Sequence, residues 1–426
     1  MNPHIWHPFT IQKNAPEPKK VVSGEGIWLG LDDGTRIADC ISSWWVNIHG
    51  HANPIITKAI HEQAQKLEHV IFANFTHDPA EKIADIVTDM LPGNLNKLFF
   101  SDNGSTAVEV AIKTAVQYWQ NRGETRNKII AFNGAYHGDT FGAMSAGART
   151  IFSQVFENML FEVDFVDYPH TWEGDENIAE KEDRIIEEIE NILINNPDDY
   201  AAIIIEPLIQ GAGGMRVCRE DFLQRLHWVN RQFDTLLIFD EVMTGFGRTG
   251  QNFACLRAQV EPDIICLAKG LTGGFLPLSV TVSSDDVYET FYSEDPMKTL
   301  WHGHSYTANP LGCAAAIASM EILADSQERI QKMEAEHNTQ LDKLRDLPMI
   351  DKVRVKGTIA AFDLKTKEES GYLNSIAQEI KSKSHDYGLL IRPLGNTVYL
   401  MLPYCITEDE LEWVYGQLGT LIEDVC

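Results

Sequence analysis

The middle of the chain alternates short apolar, β-branched runs with longer stretches in which apolar residues return every three or four positions. A strand buried on both faces needs no polar positions, so the short runs read as a parallel sheet and the longer stretches as helices covering it. The expected strands are Leu98–Ser101, Lys128–Phe132, Ala201–Glu206, Thr235–Asp240 and Asp263–Ala268. Between them, Ser105 to Gln120 sets Val108, Ile112, Ala115, Val116 and Trp119 on helical spacing, and Glu220 to Arg231 does so with Phe222, Leu223, Leu226 and Val229. The acidic stretch from Glu173 to Glu190 is amphipathic and reads as a solvated helix without chemistry.

From about Ala308 the rhythm changes to a long Ala-rich helix, a charged helical stretch from Gln327 to Asp346, short strands and two further helices. Residues 1–45 have no βα rhythm, and IWLGLDDGTRIADC contains an Asp-Gly pair that predicts a hairpin. The expected organisation is therefore a large α/β unit, residues 46–307, and a smaller α+β unit formed by residues 1–45 with 308–426. No internal repeat or low-complexity segment interrupts it.

Composition narrows the functions open to such a chain. Its 426 residues carry 62 Asp plus Glu against 35 Lys plus Arg, a net charge of −27. That field repels phosphate backbones and anionic headgroups, which argues against nucleic-acid and membrane partners. The seven cysteines (Cys40, Cys218, Cys255, Cys266, Cys313, Cys405, Cys426) are scattered, with no spacing that predicts a metal site or a disulfide framework. The first ten residues lack the basic start and apolar run of a secretory signal, and no stretch approaches a membrane span. A reduced, cytoplasmic setting is expected.

Four segments carry candidate chemistry. TLLIFDEV, residues 235–242, delivers Asp240 and Glu241 to the carboxyl end of a strand, where open α/β sheets bind ligands. A buried carboxylate there needs a cationic partner, and the protonated nitrogen of a pyridine ring is one. Either acid could face the site. DIICLAKGLTGG, residues 263–274, runs an apolar strand into Lys269 and then glycines. Desolvation would lower the lysine pKa and make it a nucleophilic amine, and the glycines would let a flat ligand approach.

SDNGSTAVEVA, residues 101–111, reads as strand, turn and helix start, so the N–H groups of Gly104 and Ser105 could cradle a phosphate; an ordinary N-cap by Asn103 or Ser105 is the plainer reading. GAYHGDT, residues 134–140, offers Tyr136 or His137 to stack on a planar cofactor and Asp139 to orient them.

In this order and spacing these segments, with FDEVMTGFGRTG (239–250) and IIIEPLIQGAGG (203–214), resemble the class III aminotransferases of the pyridoxal-5′-phosphate (PLP) fold type I over nearly the whole chain. The resemblance implies that fold, a large domain with a mixed, mostly parallel, seven-stranded sheet between helices and a smaller α+β domain. It implies PLP as cofactor and no metal. Lys269 would carry the cofactor covalently and shuttle the proton at the substrate Cα. Asp240 would pair with the pyridine nitrogen; Val242 would cover one ring face and Tyr136 the other, His137 would be a further cofactor-binding residue, and Gly104 and Ser105 would hold the phosphate. The resemblance also implies a homodimer in which WHGHSYTANP, residues 301–310, is lent to the partner, His304 and Ser305 reaching the phosphate.

HIWHPFT (4–10), SSWW (42–45), YHGDT (136–140) and IRPLGN (391–396) are similar to one branch of that family, the enzymes that make 7,8-diaminononanoate from 8-amino-7-oxononanoate in biotin synthesis. By that likeness Phe9, Trp44 and Trp45 wall the substrate pocket, and Arg392 anchors the oxononanoate carboxylate with Gly303 and Tyr136 nearby. Branch members that take S-adenosylmethionine as amino donor usually read WHPYT and HGPTF where this chain reads WHPFT and HGHSY. S-adenosylmethionine is the expected donor, supported by SSWW, and lysine is the alternative that Phe9 and HGHSY favour. Class III enzymes acting on ornithine, 4-aminobutyrate or a β-amino acid would not be expected to share SSWW together with Arg392. A nucleotide-binding role for Gly211–Gly214 or Gly270–Gly274 fails on spacing.

Overall fold

The computed structural model describes residues 2, 4–13, 15–367 and 374–426; residues 1, 3, 14 and 368–373 of the expected smaller unit lie outside the described residues. Seven strands form the main sheet, in the spatial order Leu95–Ser101, Ser279–Ser284, Ile264–Leu267, Leu236–Asp240, Tyr200–Ile205, Lys128–Phe132, Asp164–Val166. Ser279–Ser284 runs antiparallel to both neighbours and the other pairings are parallel. The apolar runs are continuous because both faces are covered. Leu237 and Phe239 belong to one buried cluster, while Leu236 and Ile238 belong to the other. The helix Gly104–Asn121 lays Ala107, Val108, Ala111, Ala115 and Trp119 on the second face, and Glu220–Gln232 contributes Phe222, Leu223, Leu226 and Val229 to the first.

Two strands escape the hydrophobic pattern. Asp164–Val166 is three residues long. Ser279–Ser284 reads SVTVSS, and its Ser279 and Thr281 can be buried because they donate to the carbonyls of Asn103 and Ala107 at 2.7 Å. The acidic helix starts later than expected, at Ile178, and is not simply solvated: Ile185, Ile186, Ile189 and Leu193 are buried, and so is Glu182, paired with Arg219.

The hairpin forms between Trp28–Leu31 and Arg36–Asp39, turning through Gly34 at φ +87°. Arg36–Asp39 also pairs in parallel with Leu389–Leu390 of the C-terminal region. The Trp28 ring lies 5.1 Å from that of Trp413, and its indole N–H donates to Glu410 at 2.8 Å. A three-stranded antiparallel sheet, Ile350–Lys356, Ile359–Leu364 and Thr397–Met401, completes this region. The consequence for function lies in the main sheet: the carboxyl ends of Leu95–Ser101, Lys128–Phe132, Tyr200–Ile205, Leu236–Asp240 and Ile264–Leu267 all open on one crevice.

Candidate active site

The crevice is a cavity of about 650 Å³ lined by Gly104, Ser105, Tyr136, His137, Asp240, Val242 and Lys269, and by Trp45 and Glu206. Asp240 and Glu241 diverge. Asp240 Oδ2 meets His137 Nδ1 at 2.6 Å and its Oδ1 accepts from the Val242 N–H at 3.1 Å. Burial works against a protonated His137, but its hydrogen bond to Asp240 and the carboxylate charge outweigh this and hold its pKa above the usual value. Glu241 turns away and accepts the N–H groups of Ala254 and Cys255 at 2.7 and 2.8 Å, capping the helix Ala254–Ala258; burial pushes it up to about 7.

Lys269 follows its strand directly, at φ +45°, with Nζ 4.8 Å from the centre of the Trp45 ring. Burial lowers its pKa to about 8, against the pull of Asp240 and Glu206. At the other end of the cavity the helix Gly104–Asn121 begins, its Asn103 cap closed reciprocally with Thr106. The Ser105 hydroxyl lies 2.7 Å from that of Thr140 and accepts the Thr140 N–H at 3.0 Å. A Cβ at Gly104 would stand 2.6 Å from Val242 Cγ1, so the helix start and Val242 meet only because position 104 has no side chain. Tyr136 keeps 36% of its surface exposed beside Asp139, and partial burial of the phenol, then that carboxylate, raise its pKa.

Glu206 has no role in the sequence reading, yet it is the second buried acid of the crevice. It accepts the N–H groups of Tyr136 and Gly211 at 3.0 and 2.8 Å, and burial pushes it up to about 7 although His137 pulls the other way. The signal was present: Glu206 ends an apolar strand, as Asp240 does.

Ser42, Ser43, Trp44 and Trp45 form a left-handed turn, with φ of 48°, 46°, 73° and 76°. Each such non-glycine residue is disfavoured by roughly 1–2 kcal/mol, so the turn persists only where its surroundings hold it. Ser42 Oγ donates to the Met401 carbonyl and Ser43 Oγ to Asp39, both at 2.7 Å; Asp39 also meets His51 at 2.9 Å, and the Trp45 indole donates to the Tyr399 hydroxyl at 3.0 Å. Trp45 thereby lines the cavity, whereas Trp44 sits outside its lining in a second group. There the Arg392 guanidinium lies 4.5 Å above the Trp44 ring, and Phe9 meets Trp44 and Phe152 edge-on at 5.4 and 5.5 Å. Arg392 has no carboxylate partner among the described residues. Phe152 carried no signal in the sequence.

Gly303, His304 and Ser305 are not brought into this cavity. Gly303 and Ser305 are exposed, and His304 Nδ1 stands 4.0 Å from Asp102 of the same chain. Trp301 and Tyr306 flank them as exposed aromatic side chains.

A sheet crevice with a buried amine, an acid–imidazole pair and a helix N-terminus defines the class. The family model Aminotransferase class-III matches residues 11–422, and the chain belongs to that family. It is 54% identical, over its whole length and 99% of the relative's, to the adenosylmethionine-8-amino-7-oxononanoate aminotransferase of Synechococcus elongatus. The enzyme of that name from Geobacter sulfurreducens is 38% identical over 99% of this chain and 96% of its own. Among solved structures, the Methanocaldococcus jannaschii enzyme of that name superimposes with a TM-score of 0.91 at 34% identity, covering 99% of this chain and 97% of its own. An amine transaminase from an uncultivated Pseudomonas species, solved in a PLP-bound form, gives 0.91 at 28% identity over 99% of both chains.

Proposed function

We propose that this chain transfers an amino group to 8-amino-7-oxononanoate, giving 7,8-diaminononanoate, with S-adenosylmethionine as donor and PLP as cofactor. The observation that carries the substrate is Arg392: a planar guanidinium with no carboxylate partner among the described residues, laid on Trp44 of a strained turn and suited to a carboxylate at the end of an apolar chain. The names of the relatives at 54% and 38% identity support the same reaction and donor.

The residues fit the cofactor. Gly104 lets Val242 close against a helix N-terminus able to hold a phosphate, where a Cβ would stand 2.6 Å from Val242 Cγ1. His137 Nε2 is buried without a partner among the described residues while Nδ1 is committed to Asp240. When bound, PLP supplies an electrophilic carbon for the amine and a ring that accepts the electron pair left at the substrate Cα.

The side chains do the rest. Asp240 would hold the proton on the ring nitrogen, itself fixed by His137 and the Val242 N–H. Lys269 would release the cofactor to the incoming amine and then move the proton at the substrate Cα. Val242 and Tyr136 would hold the ring flat, and Trp45 would keep water from the Lys269 amine. Arg392 would place the oxononanoate so that its ketone, not its carboxylate, reaches Lys269.

The same reading has the protein act as a cytoplasmic homodimer, the 301–310 segment reaching a second copy's phosphate site through His304 and Ser305. Exposed Trp301 and Tyr306 beside those residues support it, and no helix among the described residues is long and apolar enough to cross a membrane.

The test is a single half-reaction. PLP-loaded protein is mixed separately with S-adenosylmethionine and with lysine while the yellow absorbance is followed. Bleaching by S-adenosylmethionine, reversed by 8-amino-7-oxononanoate, is expected. Bleaching by lysine alone would overturn the donor, and failure of 8-amino-7-oxononanoate to restore the colour would overturn the substrate.

A further inference from the structure

A second polar cavity, about 160 Å³, lies away from the crevice, between the loops after strands Asp164–Val166 and Tyr200–Ile205 and the three-stranded C-terminal sheet. Its walls carry Arg216, Lys352, Arg354, His170 and Trp172, with Asp363 as the acid among them. In a chain of net charge −27, this concentration of cations needs an explanation.

The charges do not cancel internally. Asp363 is committed to Arg354 at 2.9 Å and to the Thr397 hydroxyl at 2.8 Å. Arg354 further spends its donors on the carbonyls of Gly214, Met215 and Lys352. Arg216 finds only the Asn133 carbonyl at 3.4 Å and Gln210 Oε1 at 3.3 Å, and no carboxylate among the described residues. Lys352 has no carboxylate partner among them either; its ammonium rests 4.9 Å from the Trp172 ring centre. Burial, then repulsion by Arg354, lowers the pKa of Arg216. Burial and four nearby cations push His170 down to about 4, so at neutral pH it can donate a hydrogen bond without adding charge.

Lys352 is also held there at a cost. It sits in the register shift between Asp351 and Arg354, at φ +46°, a left-handed conformation a lysine rarely adopts. Such bulges re-aim a side chain, here toward Trp172 and the cavity. Unpaired cations brought together by a strained backbone are stabilised when an anion occupies the space between them.

We propose that this cavity is an anion-binding site for a small doubly charged oxyanion, phosphate or a phosphate monoester, held by Arg216 and Lys352. Occupancy would clamp the 394–397 turn, which continues from Arg392, against the Gly213–Gly214 loop, which continues from Glu206. The site thus borders both the proposed substrate anchor and the cofactor crevice without belonging to either.

The experiment uses protein saturated with PLP, so that the cofactor's own phosphate cradle is filled. Inorganic phosphate and glycerol 3-phosphate are titrated separately by calorimetry, at ionic strength fixed with chloride. Saturable binding of one anion per chain is expected, and whichever titrant binds tighter identifies the source. Lys352→Gln and Arg216→Gln should each weaken it roughly ten-fold or more, the loss of one charge-assisted hydrogen bond. Lys97→Gln, on the far edge of the sheet, should not. Lys352 makes no side-chain hydrogen bond among the described residues, so its variant is expected to fold; an unchanged thermal midpoint and PLP spectrum would show it. Absence of saturable binding, or equal affinity in both variants and the parent, would overturn the proposal.

Discussion

The Lys269 amine gives the most quantitative test of the site. Its pKa falls from 10.5 to about 8 because burial penalises the ammonium more than Asp240 and Glu206 stabilise it. Only the neutral amine bonds to an aldehyde carbon. At pH 7 an ordinary lysine is neutral in about one molecule in 3000, whereas one titrating near 8 is neutral in about one in ten, a gain of about 300-fold. The sign follows: the neutral form grows as pH rises, but only until it dominates near pH 8. Protein stripped of cofactor should therefore capture PLP covalently at a rate that climbs about ten-fold per pH unit below 8 and levels off above it. Stopped-flow absorbance would follow the capture. A rate still climbing at pH 10 would refute the desolvated environment read from the cavity. In Lys269→Ala no lysine-linked cofactor should survive borohydride reduction, and any that did would move the attachment elsewhere.

Three further expectations follow from distances already given. Gly104→Ala would drive Val242 toward the space reserved for the ring; overpacking of about 1–3 kcal/mol should lower PLP affinity roughly ten- to hundred-fold in a fluorescence titration, and unchanged affinity would dissociate Gly104 from the cofactor. Arg392→Ala should weaken the 8-amino-7-oxononanoate half-reaction by on the order of ten- to a hundred-fold, one charged hydrogen bond, while sparing the donor half-reaction; equal damage to both would exclude a carboxylate anchor. Asp39→Asn takes the charge from a buried acid that serves His51 and Ser43, so a loss of about 2–4 kcal/mol is expected in chemical denaturation, and a loss below about 0.5 kcal/mol would show that the left-handed turn holds without it.

Much of the sheet could be read from the chain because strands covered on both sides tolerate only apolar residues, and LLIFD, YAAIII and IICL state this plainly. SVTVSS hides its strand, since its hydroxyls are satisfied by carbonyls of another element that no local pattern announces. The strand pattern alone did not choose between Asp240 and Glu241, and only the family resemblance pointed to Asp240, because the choice depends on where the strand ends: one carboxylate enters the crevice and the next caps a helix. The separation of Trp44 from Trp45 was equally hidden. Nothing in Ser-Ser-Trp-Trp, which has no glycine, foretells four successive positive φ angles; the bonds to Asp39 nearby and to Met401 and Tyr399 on the distant strand Thr397–Met401 hold them. Residues 303–305 were read as reaching another copy, a relation outside what one chain displays.

On the proposed function, the turn at Ser42–Trp45 would tie selectivity to folding stability. Because its backbone is disfavoured for any side chain, replacing Trp44 by glycine would do two things at once: open the wall beside Arg392 and relieve roughly 1 kcal/mol of conformational cost. Only glycine gains that relief, and it sets it against the lost contacts of the Trp44 ring with Phe9 and Arg392, so Trp44→Gly should cost less stability than the removal of a large aromatic side chain otherwise does. A chain that keeps both tryptophans here forgoes that relief, and on the proposed function the return would be a narrower choice of substrate.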